Sequence, residues 1–349
     1  MARADLVCAF FGPFSPPMPK PPSFTARAPG DPRPRMIAID WGTTSLRGVR
    51  IDAQGQISER RALPQGILQV APGGFADAFA QHFGDWLAEG PELCLLSGMV
   101  GSRQGWQEAP YCPCPADFSA LCQQLLWLDL PQGVPTAIVP GMSSLAQSQV
   151  DAVHGVPDVM RGEEIQVIGA LALMGSRDGL LLLPGTHSKW VQAQSSTITG
   201  FKTFMTGELF ALLAQHSILG KTLDSSAALD ETAFIQGLER AQSPDTLSHL
   251  LFGTRALSLF GALDPAQSAS YLSGLLIGQE LRTMPTAAGS RVAVIGSSTL
   301  VQRYSLALRH VGCEAVTFGD EATWAGHQAI YDHLTQTTSS TPQSLPPQP

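Results

Sequence analysis

The sequence predicts an α/β protein built as two halves, each opening with strands and continuing with helices. Two observations carry this expectation. Short apolar runs at Met36–Asp40 and Leu180–Leu183 each lead into a turn rich in Gly and Thr, with a further strand beyond it. Helical patterns follow in both places, so strands-then-helices occurs twice, which suits two halves better than one continuous doubly wound sheet.

Composition narrows the function classes. The 349 residues are 44% hydrophobic and 14% charged, ordinary values for a globular enzyme with a real core. A formal charge of −8 without any Lys/Arg run argues against a nucleic-acid partner. No apolar run is long enough to span a membrane. The six Cys include no C-x-x-C pair and no His cluster at zinc-ligand spacing, so thiols in a reducing cytosol are expected. No G-x-G-x-x-G follows the first strand, which argues against a Rossmann oxidoreductase.

Residues 1–35 hold nine Pro and no apolar periodicity, and are expected to be a disordered extension. Met36 stands immediately before the first strand and is a candidate start of translation. An N-terminal α/β domain is expected over 36–160 and a C-terminal one over 161–334. The Thr/Ser/Gln/Pro-rich stretch 335–349 is expected to be a disordered tail.

Within the folded part, strands are expected at Met36–Asp40, Gly48–Asp52, Ile57–Ala62, Leu93–Leu96 and Ile138–Val139, with a helix over Gly74–Leu87. In the second half a helix is expected over Glu163–Met174 and a strand at Leu180–Leu183. The return strand of a hairpin follows at Thr197–Thr203. Thr206 is expected to cap a helix running to Ile218. A helix over Ser270–Met284, a strand at Val292–Ile295 and a helix over Leu300–His310 complete the pattern.

The strongest chemical signal is Asp40-Trp41-Gly42-Thr43-Thr44-Ser45, at the end of an apolar strand. Gly42 lets backbone approach a phosphate closely, while Thr43, Thr44 and Ser45 offer hydroxyl and N–H donors. Asp40 is the metal candidate, holding a Mg²⁺ shell through water. The plainer alternative is a β-hairpin with an Asp at its turn. Gly98-Met99-Val100-Gly101-Ser102 closes another strand, and this loop is a candidate substrate site through Gly98 and Ser102, covered by Trp106 and Tyr111. Against that, aromatic residues near a Gly-rich loop are more often packing. Gly296-Ser297-Ser298 joins a strand to a helix, a layout that presents N–H groups to a nucleotide.

Taken together, Asp40-x-Gly42-x-Thr44, Gly98–Ser102, Ala109–Tyr111, Val159–Glu164, Pro184–Val191, Met205–Leu209 and Ser273–Gly278 resemble the 2-dehydro-3-deoxygalactonokinase family of the actin/hexokinase superfamily. The resemblance covers Ile37–Ile330. It implies a two-domain actin-like ATPase (ribonuclease H-like) α/β fold with an interdomain cleft, and ATP and Mg²⁺ as cofactors. It implies phosphorylation of 2-dehydro-3-deoxy-D-galactonate on its 6-hydroxyl, in galactonate catabolism in the cytoplasm. Gly185 and Thr186 resemble the second phosphate loop, although no Asp precedes Gly185, and Lys189 offers a charge for a phosphate or the substrate carboxylate. Gly296 and Ser297 resemble the adenosine motif. Glu163, with Glu164 as second choice, occupies the place of the carboxylate that accepts the hydroxyl proton, and Arg161 is a candidate partner of the substrate carboxylate.

His187 and His216 receive no catalytic role. The partners expected are ATP and a small sugar acid, with neither nucleic acid nor membrane, and a homodimer is admitted. Two alternatives stay open: a kinase for another small sugar or sugar acid of the superfamily, and a non-sugar ATP-binding switch protein.

Overall fold

The computed structural model describes residues 30–131, 133–145, 156–284 and 286–339. The expected N-terminal extension lies outside the described residues as far as residue 29, and the expected tail does so from residue 340. Residues 335–339 belong to a helix.

The chain opens with an antiparallel meander, β1 (Met36–Trp41), β2 (Leu46–Ile51) and β3 (Ile57–Leu63). β1 is apolar and buried on both faces, as a central strand must be. β3 carries charges and alternates between half-buried and exposed, as expected of an edge. Helix α1 (Phe75–Ala88) buries Phe75, Phe79, Phe83, Trp86 and Leu87, a stripe at helical spacing that joins the same core as Ile37, Ile39 and Leu96. The fully buried β4 (Leu93–Ser97) then pairs parallel to β1, setting Ser97 beside Asp40.

Next come β5 (Tyr111–Pro113), β6 (Ala116–Asp117), the short α2 (Phe118–Cys122), β7 (Leu126–Leu128), β8 (Thr136–Ile138), β9 (Gly141–Leu145) and β10 (Pro157–Met160). Helix α3 (Glu163–Met174) precedes a second meander of β11 (Gly179–Leu183), β12 (Ser188–Gln194) and β13 (Thr197–Phe204). Four helices follow: α4 (Thr206–His216), α5 (Glu231–Arg240), α6 (Leu247–Leu259) and α7 (Pro265–Thr283). The chain continues through β14 (Arg291–Ile295), α8 (Ser298–His310), β15 (Glu314–Phe318) and α9 (Glu321–Ser339).

One sheet has the order β3-β2-β1-β4-β8-β7, and another β15-β14-β11-β12-β13-β6. Each contains the same five-strand unit. Three strands form an antiparallel meander, and two more add in parallel beside the meander's first strand. This repeated order is the α/β fold of the actin-like, ribonuclease H-like type. It makes the β1–β2 turn and the β11–β12 turn equivalent positions of the two repeats. A small third sheet has the order β10-β9-β5.

The chain divides into two units. One takes in the chain up to Pro110, Cys122–Pro140 and the part from Tyr331 onward; the other takes in Tyr111–Leu121 and Gly141–Ile330. Tyr111–Leu121 goes with the second because β5 pairs with β9 and β6 with β13. Such pairings join residues far apart in sequence and leave no local signal.

Two helix starts differ from expectation. Thr206 is the first residue of α4 and not its cap; Met205 holds the cap position. The Thr206 hydroxyl favours the charged form of the buried Glu280 carboxyl instead. Helix α7 begins at Pro265, five residues before Ser270. Asp264 accepts from Gln267 N at 2.8 Å while Asp264 N donates to the Gln267 side chain, and Pro265 suits the first helical position. Among the described residues no helix is long and apolar enough to cross a membrane.

Candidate functional site

In the first unit the β1–β2 turn is tight: Gly42 N donates to Ser45 O at 2.8 Å. Thr43, Thr44 and Ser45 are exposed, so their donors face outward. The turn is braced from behind by residues 65–68, which run into the short 3₁₀ turn Ile67–Gln69. Ile67 N donates to Gly42 O at 3.0 Å, Leu68 N to Thr43 O at 3.3 Å, and the indole of the buried Trp41 to Gln65 O at 3.1 Å. Gly66 lies against the Thr43–Thr44 peptide so closely that a Cβ there would come within 2.3 Å of it. The bracing residues carried no signal in the sequence, since Pro64-Gln65-Gly66 reads as any turn. Gly66→Ala must therefore displace the turn. The expected outcome is a lower melting temperature, about 1–3 kcal/mol in stability, together with weaker ATP binding. Thermal unfolding and ATP titration of the variant check this; values equal to wild type would show that the brace does not set the turn.

Asp40, the last residue but one of β1, pairs with Arg47, whose Nη2 donates to Asp40 Oδ2 at 2.5 Å. The other oxygen borders Gly98, where a Cβ would lie 3.1 Å from Asp40 Oδ1 and 2.9 Å from Trp41 O. Gly98, at φ +88, thus leaves room beside the carboxylate. The structure brings Asp40, the Gly42–Ser45 turn and Gly98 together. Ser102 and Trp106 face other partners. Ser102 Oγ donates to Met99 O at 2.7 Å, and Trp106 packs on Phe79 with ring centroids 5.3 Å apart, against the core of this unit.

No group of three or more His, Cys, Asp or Glu that could hold a metal exists among the described residues. A single half-buried carboxylate next to a turn of exposed hydroxyls still fits Mg²⁺. That ion keeps several waters and binds through one or two carboxylates plus substrate phosphates.

In the second unit the equivalent turn leaves Thr186 and His187 exposed. It too rests on a glycine: a Cβ on Gly207, in the first turn of α4, would lie 2.3 Å from Gly185 O. Glu208 N donates to Thr186 O at 2.9 Å, and the Glu208 carboxylate lies 2.5 Å from His187 Nε2. Parallel pairing of β11 with β14 brings Gly296 to the same sheet end, where its missing Cβ would lie 3.3 Å from the Pro184 ring. Ser297 caps α8 by position, without a side-chain bond, and is exposed. Gly185, Thr186, Gly296 and Ser297 are therefore neighbours.

Lys189 is placed otherwise. It is buried, and its ammonium donates to Val159 O at 2.7 Å and Thr203 Oγ1 at 2.8 Å. Asp158 completes this knot by accepting from Thr203 N at 2.7 Å and from Thr203 Oγ1 at 2.5 Å. The charge of Lys189 is engaged in fixing β10 to β13, just ahead of the acidic pair.

That pair follows Gly162, whose φ of +103 turns the chain into α3. Arg161 is buried with its guanidinium 4.3 Å from the centre of the Tyr111 ring. Arg161 N donates to Glu163 Oε2 at 2.9 Å. Glu164 is fully buried and takes Gly162 N on both oxygens, at 2.9 and 2.7 Å. Burial, and then the neighbouring Glu163, push the Glu164 carboxyl up to about 8. Half-buried Glu163 is the more accessible of the two.

The raised Glu164 carboxyl has a measurable consequence. The folded protein retains a proton there that the unfolded chain has lost, in the window from the usual carboxylate value near 4.5 up to about 8. Stability contributed by this proton is complete below that window and is lost as pH rises through it. Glu164→Gln is expected to flatten the decline in unfolding free energy between pH 5 and pH 8. Denaturant titrations across that range test it, and an unchanged slope would contradict the assignment.

Comparison with known proteins bears on what such a site serves. The family described as 2-keto-3-deoxy-galactonokinase matches residues 40–330. The chain is 38% identical over 299 residues to the 2-dehydro-3-deoxygalactonokinase of Escherichia coli K12, covering 85% of this chain and 97% of that one. A Rhizobium meliloti relative, provisionally named for the same activity, is 36% identical over 300 residues, or 84% of this chain and 95% of its own. A crystal structure from Sinorhizobium meliloti, also provisionally described as a 2-dehydro-3-deoxygalactonokinase, superposes with a TM-score of 0.76. It is 33% identical, with 86% of this chain and 99% of that chain covered.

Proposed function

Since this chain belongs to the 2-keto-3-deoxy-galactonokinase family, we propose that it transfers the γ-phosphoryl group of ATP to the 6-hydroxyl of 2-dehydro-3-deoxy-D-galactonate. The products are ADP and the 6-phosphate. The observation that carries the residue roles is the repeated one: each five-strand unit ends its first strand in an exposed Gly/Thr turn braced by a glycine that a Cβ would displace.

Phosphoryl transfer asks mainly for positioning and charge stabilisation. Thr43, Thr44 and Ser45 offer exposed donors to phosphate oxygens from the first turn, and Gly185 and Thr186 do so from the second. Gly296 and Ser297 present the N-terminus of α8 to the nucleotide. Asp40 holds Mg²⁺, which supplies neutralisation of the charge on the phosphates when bound. Glu163 orients the substrate hydroxyl and accepts its proton. Arg161, stacked on Tyr111, has the planar donors that suit the sugar acid's carboxylate. The enzyme is placed in the cytoplasm and takes no nucleic acid. The net charge of −8 and the absence of disulfides among the described cysteines support this.

The test is a coupled assay of ADP release over a panel of 2-keto-3-deoxy acids. The galactonate-derived acid is expected to give the highest kcat/KM. Phosphorylation of glycerol or pentuloses, with none of the keto acids accepted, would overturn the substrate assignment.

A further inference from the structure

Glu280 is almost completely buried in the second unit, 1% exposed, and the reaction as derived does not use it. Its carboxylate has four neutral neighbours. Trp190 Nε1 donates to Oε2 at 2.8 Å, and the Tyr304 hydroxyl donates to Oε1 at 2.6 Å. Ser188 Oγ lies 2.7 Å from the same Tyr304 hydroxyl. The Ser188 and Thr206 hydroxyls also act on the Glu280 carboxyl, favouring its charged form. Burial raises the carboxyl above its ordinary value, and these donors draw it back down. A carboxylate so placed is costly, and packing alone does not call for one.

The owners of those donors make the arrangement informative. Ser188 and Trp190 begin β12, directly after the Gly185–Thr186 turn. Thr206 begins α4, whose Gly207 supports that turn from behind. Tyr304 belongs to α8, whose N-terminus carries Gly296 and Ser297 ahead of it. The strand that follows the second turn and the helix behind Gly296 and Ser297 are thus hydrogen-bonded to one carboxylate on α7, and the first residue of α4 acts on the same carboxylate. We propose that Glu280 is a positioning residue for nucleotide binding, fixing the second phosphate turn, its supporting helix and the α8 N-terminus in register. This rests on the kinase reading above.

A glutamine at 280 keeps the shape, but with its oxygen held by the Trp190 N–H its NH₂ group requires the Tyr304 hydroxyl to reverse and accept. Glu280→Gln is therefore expected to weaken binding of a non-hydrolysable ATP analogue by about tenfold, the equivalent of one good hydrogen bond. The KM for the sugar acid should stay within about twofold of wild type. Tyr304→Phe, a milder loss, should weaken analogue binding by about threefold. In a double-mutant cycle, Glu280→Gln and Thr186→Ala should be sub-additive in analogue affinity, because one acts through the other. A residue that served folding alone would lower the melting temperature and leave both the affinity and the cycle unaffected. Wild-type affinity in folded Glu280→Gln overturns the proposal, as does strict additivity in the cycle. Should Glu280→Gln fail to fold, unchanged affinity in Tyr304→Phe overturns it equally. Wild-type protein that binds no ATP analogue would overturn the kinase reading, and this proposal with it. Normal wild-type binding with an unaffected Glu280→Gln removes the positioning role alone.

Discussion

Asp40→Asn is expected to lower kcat/KM for phosphorylation by about a thousandfold, some 4 kcal/mol of transition-state stabilisation. Asparagine keeps the size of the side chain but removes the charge proposed to hold Mg²⁺ near the Gly42–Ser45 turn. A competing account is that the variant merely loses its ion pair with Arg47. Magnitudes separate the two. The pair is partly solvent-exposed, with the Arg47 side chain 38% accessible, so screening limits its contribution to at most about 1 kcal/mol of stability. Part of even that concerns Arg47 itself, whose Nε is buried without a hydrogen-bond partner. A thousandfold kinetic loss with a small shift in melting temperature, and a raised Mg²⁺ requirement, would identify the metal role. Activity within threefold of wild type at all Mg²⁺ concentrations would remove it.

Glu163→Gln is expected to lower kcat by about a thousandfold, the middle of the range for a positioned proton acceptor, with little change in KM for either substrate. The contrast with its neighbour sharpens the test. Glutamine at 163 can still accept from Arg161 N, so the turn into α3 should persist. Glu164 has both oxygens occupied by Gly162 N, and its replacement should act mainly on stability. Steady-state kinetics on both variants decide it: a larger kcat loss in Glu164→Gln than in Glu163→Gln would exchange their roles.

The legible parts of the site were local. The Asp40–Ser45 and Pro184–His187 turns were visible because a buried apolar strand must end at them, and Gly with Thr next to it has few other uses there. The α3 start at Glu163 was legible for a similar reason, since Gly162 precedes two carboxylates that favour a helix N-terminus. Lys189 shows the limit of such reading. A lysine three residues after a Gly-Thr pair suggests a phosphate ligand, but both faces of β12 are buried there, and Val159 and Thr203 accept hydrogen bonds from its ammonium. Trp106 likewise joins Phe79 in the core, a contact set by the packing of α1. Several elements were not foreseen at all. α5, α6, β15 and α9 lacked a decisive apolar period, and β5, β6, β9 and β10 are short strands defined by their partners.

Sequence alone determined the repeated strand-turn-strand opening, the two Gly/Thr turns and the acidic pair, because each is encoded within a few consecutive residues. Tertiary structure alone decided what supports them. Gly66 under Thr43–Thr44, Gly207 under Gly185, and Glu280 joined to Trp190 and Tyr304 across 90 and 24 residues of chain all depend on distant segments meeting. A missing Cβ or a buried carboxylate acquires meaning only from the atoms packed against it, and those atoms are chosen by the fold.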